Sequence, residues 1–217
     1  MSADRHLGVA FFLVEIVEQA TVIAQELVAP LGRRWDHVQA VAARAADLSV
    51  AVAAAERPTL VAAAWLHDIG YSPRIGHTRF HPLDGARFLR AEGWPEPVVG
   101  LVAHHSAARY EAEVRELSAE LADFPFEQSA LQDALDTADL TTGPAGEPLT
   151  FDERMDEILV RYPPTPQFTS SGWSLARSRP RPLSGPSRAC APLSPGRAPS
   201  GRSPTRARCA SASTGGC

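Results

Sequence analysis

The sequence predicts an all-α protein, and three observations support this fold class. Apolar residues recur at helical spacing in successive segments, for example at Val38, Val41 and Ala45. Proline and glycine stand where helices are expected to begin and end, as at Pro58 and Gly70. No segment shows the sustained alternation of apolar and polar residues that a half-buried strand requires. We therefore expect a compact multi-helix bundle.

About eight helices are expected along the chain. The first covers residues 8–29, and its apolar face is expected to contain Phe11, Phe12, Val14, Ile16, Val22, Ile23 and Leu27. The others are expected at residues 34–48, 58–69, 82–93, 97–105, 111–121 and 128–141, and after residue 150. Segment 71–80 contains Pro and Gly without a period, which predicts a loop. Thr150-Phe-Asp-Glu153 has the pattern of a capping box at a helix start.

Charge and composition divide the 217 residues into two parts. Residues 1–169 hold 13 Arg and all 25 acidic residues, a net charge of −12, whereas residues 170–217 hold 8 Arg and no acid. Ser, Arg, Pro, Ala and Gly fill 39 of the last 48 positions. Such a segment cannot bury enough apolar surface to offset its ordering entropy, so residues 170–217 are expected to be a disordered tail.

Two other interpretations of the tail stay open. It can be an out-of-frame reading of a GC-rich gene, or a basic arm that binds nucleic acid or an anionic surface. For the rest of the chain we expect residues 1–32 to form a supporting helix, residues 33–141 the central domain and residues 142–165 its C-terminal helix.

The composition also excludes several classes of site and partner from the main part. Cysteine occurs only at Cys190, Cys209 and Cys217, so residues 1–169 hold neither a disulfide framework nor a thiolate metal site. The acidic balance argues against a general nucleic-acid surface. Because no run approaches the roughly 18 apolar residues of a membrane helix, we expect a cytoplasmic protein that binds no membrane.

Histidine and aspartate residues stand at the ends of the predicted helices. Asp68 follows an apolar helix, where a carboxylate is disfavoured by roughly 0.3–1 kcal/mol and needs a compensating cation. Asp139 lies late in another helix, while Asp133 and Asp136 are expected to be solvated. Imidazoles and carboxylates from five helices can converge on Mn, Fe, Co, Ni or Zn, with Asp68 as the candidate bridge between two ions. The candidate ligands are His37, His67, Asp68, His81, His104, His105 and Asp139.

In this order the residues resemble the HD-domain superfamily of metal-dependent phosphohydrolases. The resemblance rests on five segments, Arg34-Trp-Asp-His37, Leu66-His67-Asp68-Ile69-Gly70, His81-Pro-Leu-Asp-Gly-Ala86, Val102-Ala-His104-His105 and Thr137-Ala-Asp139-Leu140. It implies an HD domain over residues 33–141. The H-x-x-x-G-A pattern at residues 81–86 is similar to that of small stand-alone HD hydrolases that act on nucleotides.

The resemblance implies a role for each matched residue. The first metal site would comprise His37, His67, Asp68 and Asp139, and the second would be completed by His81 with His104 or His105, between which the sequence does not choose. Metal-activated water would attack a phosphoester of a nucleotide or similar small phosphorylated metabolite, with Asp68 and His67 as catalytic residues. Arg34 and Arg109 are candidates for binding the substrate phosphate, and Tyr71 for stacking on a base.

Two alternatives from other functional classes remain. A di-iron oxygenase on the same scaffold would use the same ligands, and oxygen consumption by an iron-loaded sample would identify it. A non-catalytic module that binds metal or nucleotide for regulation usually lacks some ligands, and here every position of the pattern is filled.

Overall fold

The computed structural model describes residues 3–161, with the side chains of residues 15–158 and 160. The α-helices in this part are α1 Ala3–Val28, α2 Arg33–Leu48, α3 Arg57–Leu66, α4 His81–Ala91, α5 Glu96–His104, α6 Ala108–Val114, α7 Ser118–Leu121, α8 Ala130–Leu140 and α9 Phe151–Arg161. Short 3-10 helices cover Ala29–Leu31, Ser49–Ala51, Ile69–Tyr71 and His105–Ala107. No strand occurs among the described residues, so the all-α prediction is confirmed there. The predicted tail, residues 170–217, lies outside them.

Helix α3 lies at the centre of the fold because almost no polar side chain interrupts it. It packs against α1, α2, α5 and α8. Its buried residues are Leu60, Ala62, Ala63, Ala64 and Leu66. A helix that is apolar on all sides must be surrounded, and its alanines allow neighbouring helices to approach closely. The end of α3 thereby places His67 and Asp68 inside the bundle.

Helix α1 covers one side of α3 through a narrow apolar stripe. Ile16, Ala20, Ala24 and Leu27 are buried at helical spacing. The expectation that Val22 belongs to this face is wrong, since its side chain is 63% exposed on the opposite side of the helix. The side chains of the first apolar residues, at positions 11–14, lie outside the described part.

Two glycines let α4 pack directly on the segment that follows Asp68. A Cβ atom on Gly70 would lie 2.0 Å from the carbonyl oxygen of His81, which is far inside contact distance. A Cβ atom on Gly85 would already be 3.3 Å from the side chains of Ile69 and Val102. The glycines of the two motifs therefore serve packing, and this packing brings the start of α4 next to Asp68.

The segment expected to form one helix over residues 111–121 instead forms α6 and α7. Glu116 has a left-handed backbone with φ 58°, and the Leu117 N–H donates to the Ala112 carbonyl at 2.8 Å. This bonding pattern is the Schellman stop of a helix, here without its usual glycine. Leu117 packs against the core after the break, which accounts for the turn.

The predicted capping box at the start of α9 is present. The Thr150 N–H donates to the Glu153 carboxylate at 2.7 Å, and the Glu153 N–H donates to the Thr150 hydroxyl oxygen at 3.2 Å. Helix α9 packs on α8. Within residues 3–161 no helix combines the length and apolar character needed to span a membrane.

Candidate metal centre

Six of the seven candidate ligands converge in two groups of three. Within each group, the potential ligand atoms lie within 4.8 Å of one another. Helices α2, α3, α4 and α8 and the end of α5 supply them, so the ends of separate helices meet in the middle of the bundle. The first group is His37, His67 and Asp139, and the second is Asp68, His81 and His105.

Asp68 lies between the two groups and presents one oxygen to each. Its Oδ2 is 3.6 Å from His67 Nε2 and 3.9 Å from His37 Nε2. Its Oδ1 is 3.4 Å from His81 Nε2. A carboxylate in this position has the geometry of a bridge between two cation sites.

Backbone carbonyls orient three of the imidazole rings. In each ring Nδ1–H donates to a carbonyl, which directs Nε2 into the centre. Such hydrogen bonds fix the tautomer and orientation of metal-binding histidines. The pairs are His37 with Gly143 at 2.9 Å, His67 with Ala64 at 2.7 Å and His105 with Val102 at 2.7 Å.

The His67 side chain shows that these residues fit a metal ion. His67 is fully buried, and its Nε2 has no hydrogen-bond partner among the described residues. Burial lowers the pKa of His67, so the ring stays neutral and this nitrogen carries a lone pair. An unsatisfied buried polar atom costs roughly 1–3 kcal/mol. A divalent cation would satisfy the nitrogen and suits the mixed imidazole and carboxylate set.

Both carboxylates of the centre are held in the ionised form. Burial raises the pKa of Asp68, but the neighbouring His67 and the Arg34 guanidinium outweigh it and hold the pKa well below its ordinary value. Burial likewise raises the pKa of Asp139, and the hydrogen bond from His37 reverses the shift. Ionised carboxylates and neutral imidazoles are the forms that bind metals.

Two guanidinium groups face the two carboxylates. Arg34 Nη1 donates to Asp68 Oδ2 at 2.6 Å. Arg154, a buried residue of α9, has Nη2 3.9 Å from Asp139 Oδ1 and donates through Nη1 to Glu157 at 2.6 Å. Sequence reasoning missed Arg154 because nothing in the pattern of α9 distinguishes it from a surface arginine.

Tyr71 joins Arg34 to the second group by stacking. The Arg34 guanidinium carbon lies 3.5 Å from the centroid of the Tyr71 ring. The Tyr71 ring also stacks on the His81 ring. The two ring centroids are 4.0 Å apart, and the angle between the ring planes is 18°. In this structure Tyr71 therefore stacks on a candidate metal ligand and supports Arg34.

His104 and Arg109 lie together outside the two groups. His104 Nε2–H donates to the Phe124 carbonyl at 3.0 Å, and its ring packs against Phe126 with centroids 5.2 Å apart. The Arg109 guanidinium also lies 5.2 Å from the Phe126 ring and donates to the Tyr110 hydroxyl. Both residues line a cavity of about 400 Å³ that contains none of the six converging ligands. Of the adjacent pair, the structure brings His105 and not His104 to the centre.

A strained turn after α5 holds His105 and Asp139 together. Ser106 and Ala107 both have left-handed backbones, with φ 49° and 61°. The Ser106 hydroxyl donates to Asp139 Oδ2, and its N–H donates to Asp136 Oδ1 at 2.7 Å. Strain of this kind persists only where the surroundings fix it.

Asp136 is therefore a buried support of the centre. The expectation that it is solvated is wrong, since it is 5% exposed and also accepts a hydrogen bond from Gln132 at 2.8 Å. Asp136 is buried because its carboxylate accepts a hydrogen bond from the Ser106 N–H, thirty residues away in the chain. The sequence pattern does not reveal this partner. Asp133 is exposed as expected.

Comparison with known families agrees with this geometry. Residues 34–138 match the family model of the HD domain. No curated protein and no solved structure matches the chain. HD domains bind divalent metals and are typical of metal-dependent hydrolases, so the resemblance inferred from the sequence is confirmed.

Proposed function

Given that residues 34–138 form an HD domain, we propose that this chain is a metal-dependent phosphohydrolase. Its substrate would be a phosphoester of a nucleotide or of a similar small phosphorylated metabolite. The observation that carries the proposal is the position of Asp68, which presents one carboxylate oxygen to each of two ligand groups. Paired cation sites joined by a carboxylate are characteristic of phosphoester hydrolysis.

We propose one ligand set for each of two ions. His37, His67 and Asp139 would hold one, His81 and His105 the other, and Asp68 both. Bound divalent ions supply a water of lowered pKa and neutralise phosphate oxygens. Asp68 would also orient that water by accepting a hydrogen bond from it, because both of its oxygens face inward and its carboxyl is ionised.

The charges of the centre favour an anionic substrate. In the metal-free protein the carboxylates of Asp68 and Asp139 face the guanidiniums of Arg34 and Arg154, which leaves the site close to neutral. With divalent ions added the site becomes strongly positive, and it then attracts phosphate. Arg34, whose side chain is 27% exposed beside the groups, would bind a phosphate oxygen.

A panel of phosphatase and phosphodiesterase substrates, tested with Mn²⁺, Fe²⁺, Co²⁺, Ni²⁺ and Zn²⁺, tests the proposal. We expect metal-dependent hydrolysis that Asp68→Ala and His67→Ala abolish while circular dichroism shows a retained fold. Asp133→Ala, an exposed carboxylate on α8, is the matched control and should keep full activity.

Four results would contradict the proposal. Absence of metal binding by the wild-type protein, or full hydrolysis by Asp68→Ala, would exclude this centre as the site of reaction. Oxygen consumption by the iron-loaded protein without hydrolysis would favour the di-iron oxygenase. Metal and nucleotide binding without turnover would favour a regulatory module.

A further inference from the structure

We propose that Arg34 exchanges partners during function, serving as the counter-ion of Asp68 in the metal-free protein and as a phosphate-binding residue once metal is bound. The inference rests on the proposed function for its second half. Its first half concerns only this chain and metal ions.

The ion pair lies where a metal would compete for the same oxygen. Arg34 Nη1 contacts Asp68 Oδ2 at 2.6 Å, and that oxygen is also the one directed at His67 and His37. The other oxygen, Oδ1, faces His81. A cation held by His37, His67 and Asp68 therefore meets the guanidinium charge directly, and like charges at such separation repel in a buried site.

The Arg34 side chain lies closer to solvent than the Arg154 side chain does. The Arg34 side chain is 27% exposed, while that of Asp68 is 4% exposed. Arg154 is 10% exposed, lies 3.9 Å from its carboxylate and is held by Glu157 at 2.6 Å. Of the two guanidiniums, Arg34 is the one whose contact with a ligand is both short and close to solvent.

Tyr71 determines where the released guanidinium goes. The Tyr71 ring stacks on Arg34 on one side and on His81 on the other. Sliding along this ring keeps the guanidinium beside the second group and retains the cation–π contact. A planar, two-pronged donor at that position matches a phosphate oxygen pair, so binding of the substrate replaces the lost carboxylate.

Titration of the EDTA-treated protein with Mn²⁺, followed by calorimetry, tests the first half. Arg34→Gln removes the competing charge, so we expect it to bind Mn²⁺ about tenfold more tightly than wild type while its metal-free form melts at a lower temperature. Arg34→Lys should bind Mn²⁺ nearly as wild type does. Arg33→Gln, the exposed neighbour on α2, is the matched control and should change neither quantity.

Orthophosphate binding to the Mn²⁺-loaded protein tests the second half. Arg34→Gln should lose about tenfold in phosphate affinity, and Tyr71→Leu should also lose phosphate affinity, each measured at a Mn²⁺ concentration that saturates the variant. Equal or weaker Mn²⁺ binding by folded Arg34→Gln would overturn the counter-ion role. Unchanged phosphate affinity in that variant would overturn the exchange. Metal and phosphate binding as expected, with no hydrolysis of any substrate, would instead count against the proposed function alone.

Discussion

The Nε2 atoms of His81 and His105 lie 3.1 Å apart, although 24 residues separate them in the chain. His105 Nδ1–H already donates to the Val102 carbonyl, so its Nε2 is a lone-pair acceptor. The His81 Nε2 can therefore approach it only by donating a hydrogen bond or by sharing a cation with it. With Asp68 Oδ1 3.4 Å from His81, a cation is the partner that satisfies all three groups.

We expect His105→Ala to remove one of the bound metal ions and His104→Ala to remove none. His105 belongs to the second ligand group, whereas the His104 ring bonds to Phe124 beside a separate cavity. Metal content per chain, measured by plasma emission spectrometry after gel filtration, checks this. Loss of metal in His104→Ala with full retention in His105→Ala would reverse the assignment.

Asp139 and Asp136 should respond differently to substitution. Asp139→Ala should lose metal, because Asp139 Oδ1 lies 3.0 Å from His37 Nε2 in the first group. Asp136→Ala leaves the Ser106 N–H unpaired, so we expect a loss of about 1–3 kcal/mol in the free energy of unfolding. Urea denaturation and metal titration measure the two effects. Loss of metal in Asp136→Ala but not in Asp139→Ala would overturn this division, and Asp133→Ala is the exposed control.

Gly70→Ala should destabilise the protein by at least about 3 kcal/mol or prevent folding. The added Cβ would lie 2.0 Å from the His81 carbonyl, where backbone and not a flexible side chain must move. Gly93→Ala is the control, since no atom lies within 4 Å of its added Cβ and only its φ of 78° is strained, which costs roughly 1–2 kcal/mol. Chemical denaturation that ranks Gly93→Ala as the more harmful change would contradict the packing argument.

Mild acid should destabilise the metal-free protein. Burial lowers the pKa of His67, His81 and His104. Below the ordinary histidine pKa of about 6.5, the unfolded chain binds protons that these folded side chains do not. The free energy of unfolding therefore falls as the pH falls below about 6.5.

The change in the free energy of unfolding with pH is the sum of opposing contributions from different histidines. His37, whose pKa is raised by Asp139 despite burial, acts in the opposite direction and offsets one of the three. Each net proton contributes at most about 1.4 kcal/mol per pH unit. Urea denaturation in EDTA at pH 7.5 and 5.5 measures the change, and equal or greater stability at pH 5.5 would contradict it.

Deletion of residues 170–217 should leave metal binding and hydrolysis intact. The acidic residues stop at Glu157, and the residues beyond 169 are chiefly Ser, Arg, Pro, Ala and Gly. A truncated protein that fails to fold or loses activity would show that the segment belongs to the domain. Translating the gene in its other two frames tests the frameshift interpretation, because a restored amphipathic helix should then appear.

Much of the fold follows from local rules that act within one helix. The sequence predicts both the helix start at Pro58 and the buried face of α2, because each depends on residues only a few positions apart. The convergence of imidazoles and carboxylates was expected for a related reason, since all of them stand near helix ends. The glycine-free stop at Glu116 was missed because a Schellman turn without glycine leaves no compositional signal.

The details of the centre depend on partners distant in sequence. Burial of Asp136 is decided by a backbone N–H at position 106, and the approach of Arg154 to Asp139 by the packing of α9 on α8. The choice of His105 over His104 depends on the turn after α5, where Ser106 and Ala107 adopt left-handed conformations. The propensities of single residues do not predict such a turn, so the sequence could not show which of His104 and His105 is the metal ligand.

The hydrogen bond from His37 to the Gly143 carbonyl spans 106 residues of chain. Closing a loop of this length costs conformational entropy before the contact itself stabilises the chain. We therefore expect this contact to form after the helices that are close in sequence have packed together. During synthesis, the first five helices can therefore associate before the ligand set is complete, because Asp139 and Gly143 are translated after them. A metal ion that needs all six converging ligands would then bind only after α8 has packed on α2 and α3.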